Sequence, residues 1–217
     1  MAYDKIVDSA KLDADLTMVA DAIREGIDST EKIPFPNWYA EKIRSAAQAI
    51  VDKFVSKTIT HIYSEIEYPN GNYLLSNQIG LVSVDLPYLH QTNAGAFERC
   101  ESLVDVNIPS VRKLGNDCFS RCTALQKLVL TETTTAFAQN CFWNCTALNT
   151  LVLKANQVVS LENVNCFDRT PFASGGTGGT VYVPSALIAQ YQTATNWSTL
   201  YAAGTCNFVA IEGSEYE

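Results

Sequence analysis

The chain has 217 residues, with 15 Lys plus Arg against 23 Asp plus Glu, a formal charge of −8, and 47% hydrophobic against 18% charged residues. That mixture is too apolar for a disordered chain. The acid excess excludes a general affinity for nucleic acid or an anionic membrane, since neither polyanion is drawn to such a surface. No apolar run approaches the roughly 20 residues that span a bilayer, so no membrane insertion is expected.

The opening residues Met1 to Ser9 carry two aspartates and no apolar run, unlike a secretory signal. Residues 1–55 read as a helix-loop-helix module. Leu12, Leu16, Ala20 and Ile23 fall at helical spacing, with Gly26 where a helix stops. Pro36 opens a second helix whose apolar face is Tyr39, Ile43, Ala47, Ile50 and Phe54. Leu16, Ala20, Ala22-Ile23-Arg24, Phe35-Pro36 and Ile43, with Trp38 or Tyr39 as the aromatic, resemble a small N-terminal module of phage and prophage tail proteins. That resemblance implies attachment to a virion component, with other tail proteins as partners. Residues 56–80 are expected to form an extended connector with a hairpin at Pro69-Asn70-Gly71.

Residues 81–172 repeat with a period of 22–23. Phe119 has counterparts at Phe97, Phe142 and Phe167, at steps of 22, 23 and 25. Cys122 recurs as Cys100 and Cys145, Leu125 as Leu103 and Leu148, and Cys118 as Ala96, Cys141 and Cys166. The strand pair Val106 and Ile108 recurs as Val84 and Leu86, Leu128 and Leu130, and Leu151 and Leu153. Each unit is a short alternating strand, a turn, a second apolar stretch (Val111 and Leu114), and a Cys-Phe-x-x-Cys-x-x-Leu segment. One such unit cannot bury its apolar side alone, but stacked units share a continuous core. The predicted fold is α+β: a solenoid of four or five coils with short parallel strands and an interior phenylalanine ladder. The segment Asn107 to Leu125 resembles the BspA-type leucine-rich repeat of bacterial and protozoal surface proteins and phage-encoded proteins. Two units depart from the pattern: Thr131 to Ala136 replaces the proline turn of the third, and Thr170 replaces the second cysteine of the fourth.

Residues 173–217 are expected to hold a last strand and a cap. Ala173 to Thr180 is glycine-rich and reads as a flexible loop; Val181-Tyr-Val-Pro184 repeats the strand pattern. Leu187, Ile188, Tyr191 and Trp197 form an apolar face that closes the stack, because a last rung otherwise exposes strand edges.

Candidate chemistry is sparse. Cys118-x3-Cys122 and Cys141-x3-Cys145 invite a zinc reading, yet both pairs occupy repeat positions, where buried cysteine acts as a small hydrophobe. His61 and His90 lie in no nucleophile–base motif. Gly175-Gly-Thr-Gly-Gly179 lacks the Lys-Ser/Thr ending of a phosphate loop. Asp85 and Asp105 are carboxylates on adjacent strands, but glycoside hydrolysis needs such a pair inside a cleft, and a strand face offers none. No catalytic residue, metal or cofactor is expected.

What remains is surface. With Val106 and Ile108 inward, Asp105 and Asn107 point outward, and so do their equivalents Ser83 and Asp85, Lys127 and Val129, and Thr150 and Val152. Trp143 is the outlier in the column Glu98, Ser120, Trp143, Asp168; Arg99, Arg121, Asn144 and Arg169 form the next column, read as a solvated edge. The candidate interaction surface is therefore Asp85, Asp105, Asn107, Lys127, Val129, Trp143, Thr150 and Val152. The expected function is non-enzymatic binding of a protein or a surface glycan, first as a phage or prophage tail-associated protein found in the virion or in bacterial cytoplasm before assembly. The alternative is a BspA-like adhesin, cell-surface or secreted, whose signal segment has been trimmed.

Overall fold

A coil that turns every 22–23 residues brings equivalent side chains one above another. The computed structural model describes residues 61–63 and 75–217 and has that geometry. Strands β1 (His61–Tyr63), β2 (Ser83–Asp85) and β3 (Asp105–Asn107) pair in parallel, His61 opposite Ser83 and Ser83 opposite Asp105. After β3 the chain turns into a second, smaller parallel sheet, whose strands are β4 (Lys113–Leu114), β6 (Ala136–Phe137) and β8 (Ser160–Leu161). The first stack continues beside β3 with β5 (Lys127–Leu130), β7 (Thr150–Leu153), β9 (Gly179–Val183) and β10 (Cys206–Ala210), paired in the order β5-β7-β9-β10. Short parallel strands dominate; among the described residues the α-helices are the six-residue α1 (Ile188–Thr193) and α2 (Trp197–Ala202).

The predicted ladder is the core. Phe97, Phe119, Phe142 and Phe167 are buried, with ring centroids 5.0, 5.8 and 5.4 Å apart and planes within 14° of parallel. Each ring is fixed by its backbone: the N–H groups of Phe97, Phe119 and Phe142 donate to the carbonyls of Cys118, Cys141 and Cys166 in the following coil, at 2.8–2.9 Å. The second cysteine of each unit bonds backwards. Cys100, Cys122 and Cys145 donate their thiols to the carbonyls of Leu75, Phe97 and Phe119 at 3.1, 3.2 and 2.9 Å. Thr170, the substitute in the fourth unit, instead donates to Phe167 in its own turn at 2.7 Å. In the third unit, hydroxyls do the work of the missing proline turn: Thr134 donates to Val111 and Thr135 to Arg112, both at 2.9 Å.

The end of the stack differs in two respects from expectation. The glycine-rich stretch is a hydrogen-bonded turn rather than a flexible loop: Gly178 donates to Pro171 and Gly179 to Thr205, both at 2.9 Å. A Cβ at Gly179 would lie 2.5 Å from the Phe172 ring, so the close approach itself demands glycine. Strand β10 adds a rung beyond Val181–Pro184, and no repeat position announces it. The cap helices then close the core: Tyr191 and Trp197 are fully buried, the Tyr191 hydroxyl accepting from the Val159 N–H at 2.9 Å and the Trp197 indole N–H donating to the Val159 carbonyl at 2.8 Å.

The helical module expected over 1–55 and the hairpin at 69–71 lie outside the described residues. Within the stretch expected as a connector, His61–Tyr63 is a rung of the first sheet.

Candidate interaction surface

Pleating sends alternate side chains of a strand to opposite faces, so the outward column of the main stack is set by register. Asp105, Asn107 and Lys127 are exposed on it; Asp85, Val129 and Thr150 are half-buried. Asn107 donates its side-chain N–H to Asp85 Oδ1 at 2.7 Å across β2 and β3. Ser83, the first outward position, is buried, its Oγ 2.5 Å from Nδ1 of His61 on β1.

Val152 does not belong to the exposed surface: it is fully buried. The reason is the chain's own C-terminal residues, which return over this end of the sheet. Ile211 N–H donates to the Val183 carbonyl at 3.0 Å, and the Glu212 carboxylate accepts from the Ser185 N–H at 2.9 Å. Tyr216 then lies edge-on to Tyr182 at 4.7 Å, with Lys127 Nζ 5.3 Å from its ring. Tyr182 is the register partner of Val152. The apolar end of the face is thus covered from within the molecule, and the open part is polar. Below it, Asn149, Thr150, Gly179, Thr180 and Asn207 line a shallow cleft of about 320 Å³.

Trp143 stands in a different column, in the turns that lead from the small sheet back to the main stack. It is half-buried. Arg121 from the coil before and Arg169 from the coil after both sit over its ring, each guanidinium carbon 5.0 Å from the centroid. Arg99 and Arg169 are exposed, as expected of a solvated edge, and Arg121 is half-buried. The backbone shows why they align: Arg99, Arg121, Asn144 and Arg169 all have φ of 60–63°, a left-handed corner that costs a non-glycine residue on the order of 1–3 kcal/mol. The inter-coil bonds that hold this corner run from Arg99 N–H to the Ser120 carbonyl, from Arg121 to Trp143 and from Asn144 to Asp168, at 2.7–2.8 Å.

The cysteines are structural. All seven are free and buried. Burial pushes the Cys100 and Cys206 thiols up to about 12 and those of Cys122 and Cys145 well above their ordinary value. Burial likewise raises Cys141, reinforced by hydrogen bonds with the Cys118 and Cys166 thiols. Nucleophile and metal-ligand roles need the thiolate, and burial opposes its formation at Cys100, Cys122, Cys141, Cys145 and Cys206. Among the described residues no group of three or more His, Cys, Asp or Glu is placed to hold a metal ion, and no helix is long and apolar enough to cross a membrane.

Residues 69–174 match the BspA type leucine rich repeat region, in six copies. The chain is similar in fold to a leucine-rich repeat protein from Bacteroides ovatus, with a TM-score of 0.52 and 21% identity, over 70% of this chain and 36% of that one. Similarity to a T. pallidum leucine-rich repeat protein (TM-score 0.48, 19% identity, 58% of this chain and 59% of that one) is weaker. So is similarity to a leucine-rich cell-surface protein of Faecalibacterium prausnitzii (TM-score 0.41, 20% identity, 48% and 29%). No curated protein matches significantly. The chain spans about a third of the length of the first of these structures. The phage-tail resemblance of residues 1–55 finds no support in these comparisons. The repeat period, the ladder of rings and thiols and the parallel rungs agree with that match, which makes residues 69–174, just under half of the chain, similar to the BspA type leucine rich repeat region.

Proposed function

We propose that this protein is a non-enzymatic recognition module of a bacterial cell surface or of a secreted adhesin, binding protein or glycan through the outside of its solenoid. The observation that carries the reading is the outward column of Asp85, Asp105, Asn107 and Lys127, polar side chains held in register on a stack whose interior is filled by rings and thiols. Rigid strands fix the spacing of these groups before any partner arrives, which lowers the ordering cost of binding. The BspA-type repeats support the cell-surface setting, through their resemblance to surface proteins. A tail-associated role rests on the resemblance of residues 1–55, which lie outside the described residues, and on the occurrence of such repeats in phage-encoded proteins; no comparison supports it.

The test is adhesion of the purified full chain to arrays of surface proteins and glycans, compared with a variant carrying Asp105→Lys and Asn107→Lys. Both positions are exposed, so the variant keeps its fold. At least a tenfold loss of binding to the best array partner is expected. Absence of binding to any array member above an albumin control would defeat the reading.

A further inference from the structure

The chain is acidic overall, yet one line of its surface is cationic. Arg99, Arg121 and Arg169 occupy the same corner of successive coils, and in the gap at the third coil Trp143 fills the space between Arg121 and Arg169. The line therefore runs Arg99, Arg121, Trp143, Arg169 along the solenoid axis, with a step of about 5 Å per coil, the spacing of neighbouring strands.

A guanidinium stacked on an indole spends a flat face on the ring. Its five N–H donors lie in the plane and point outward at the edge, in the fork geometry that matches a carboxylate. Stacking also holds the side chain still, so an incoming anion does not have to freeze it. Glu98 and Asp168 stand in the neighbouring column, but among the described residues no carboxylate is paired with Arg99, Arg121 or Arg169. The Arg121 and Arg169 donors are thus held by the Trp143 ring, on a surface that otherwise repels anions.

The geometry points to a binding line for a linear polysaccharide bearing repeated carboxylates, laid along the axis against Arg99, Arg121 and Arg169, with Trp143 as the brace that fixes two of the three guanidiniums. The guanidiniums recur at steps of one and two coils, with Asn144 at the corner between Arg121 and Arg169. A uronic acid polymer carries a carboxylate on every ring of a stiff chain, so it meets such steps without the ordering cost of a flexible acidic peptide. This rests on the proposed reading of the solenoid as a recognition module and names a partner class for it.

The experiment measures binding of the full chain to polygalacturonate by calorimetry, with neutral dextran and poly-L-glutamate as comparisons. It includes the double variant Arg121→Asn, Arg169→Asn. Asparagine is the residue that the same corner already carries at Asn144, so the variant should fold, which an unchanged Tm verifies. The expected result is binding to polygalacturonate but not to dextran, weakening as salt rises, and at least tenfold weaker in the double variant. Trp143→Leu should reproduce part of that loss. Equal affinity for dextran, equal or tighter binding to poly-L-glutamate, or undiminished binding by a folded double variant overturns the inference. Failure here with array adhesion intact removes the polyuronate line alone; failure of both removes the recognition reading as well.

Discussion

The thiol of Cys122 donates to the backbone carbonyl of Phe97, 3.2 Å away in the preceding coil, while the N–H of Phe97 donates to Cys118 in the following one. Two side chains that recur at one period thus join neighbouring coils in both directions. The cysteine column exists because a small apolar group with one donor fits there, and neither its redox nor its metal chemistry is involved.

Replacing that donor tests its weight. Cys122→Val removes the hydrogen bond at nearly constant volume, while the Phe97 carbonyl keeps the Cys100 N–H as a partner at 3.2 Å, so urea denaturation should show a loss of about 1 kcal/mol. Cys122→Ser, which can still donate, should lose less. Equal losses for the two variants would show that packing alone matters at this position.

All seven thiols are expected to react when the protein is denatured in an alkylating agent without reductant, each adding one label to the mass. The folded protein should resist the same reagent, since all seven thiols are buried out of its reach. A mass short of the full label count would reveal a bridge.

Stability should fall at high pH. Burial raises the folded-state values of Cys100 and Cys206 from 9.0 to about 12, so the folded chain keeps protons that the unfolded chain has already released. The stabilising contribution is whole below about pH 9 and is lost progressively as pH climbs toward 12, each such thiol steepening the fall by up to about 1.4 kcal/mol per pH unit. Urea midpoints measured between pH 8 and 11 check this, and a cysteine-to-alanine variant at Cys206 should show a shallower slope.

Phe119 sits between Phe97 and Phe142 in the ladder, fully buried. Phe119→Ala should cost about 3–5 kcal/mol, because neighbours stacked on both sides cannot collapse into the space without breaking their own inter-coil hydrogen bonds. Thermal melting gives the answer, and an unchanged Tm would remove the ladder from the core.

At the cap, Tyr191→Phe leaves the Val159 N–H buried without its acceptor and should cost about 1–3 kcal/mol by chemical denaturation. Tyr216→Ala is a different matter. It lies at the surface and should lose about 1 kcal/mol or less, but it uncovers Val152 and should raise binding of a hydrophobic dye.

The repeat and its core were legible in the amino-acid sequence because burial in a solenoid is periodic. Every coil asks the same residue type of the same position, so Phe97, Phe119, Phe142 and Phe167, with the cysteines between, declare their environment by recurrence alone. The outward columns obey the same period, and Asp105, Asn107 and Lys127 are exposed. What breaks the period was not legible. Strand β10, the turn forced by Gly179 against Phe172, the return of Tyr216 over Val152, and the closing of Arg121 and Arg169 on Trp143 each join residues whose separation matches no repeat or whose partners differ in type. Hydrophobic pattern tells whether a side chain seeks burial; only the tertiary arrangement tells which neighbour supplies it, and at Val152 that neighbour came from the end of the chain.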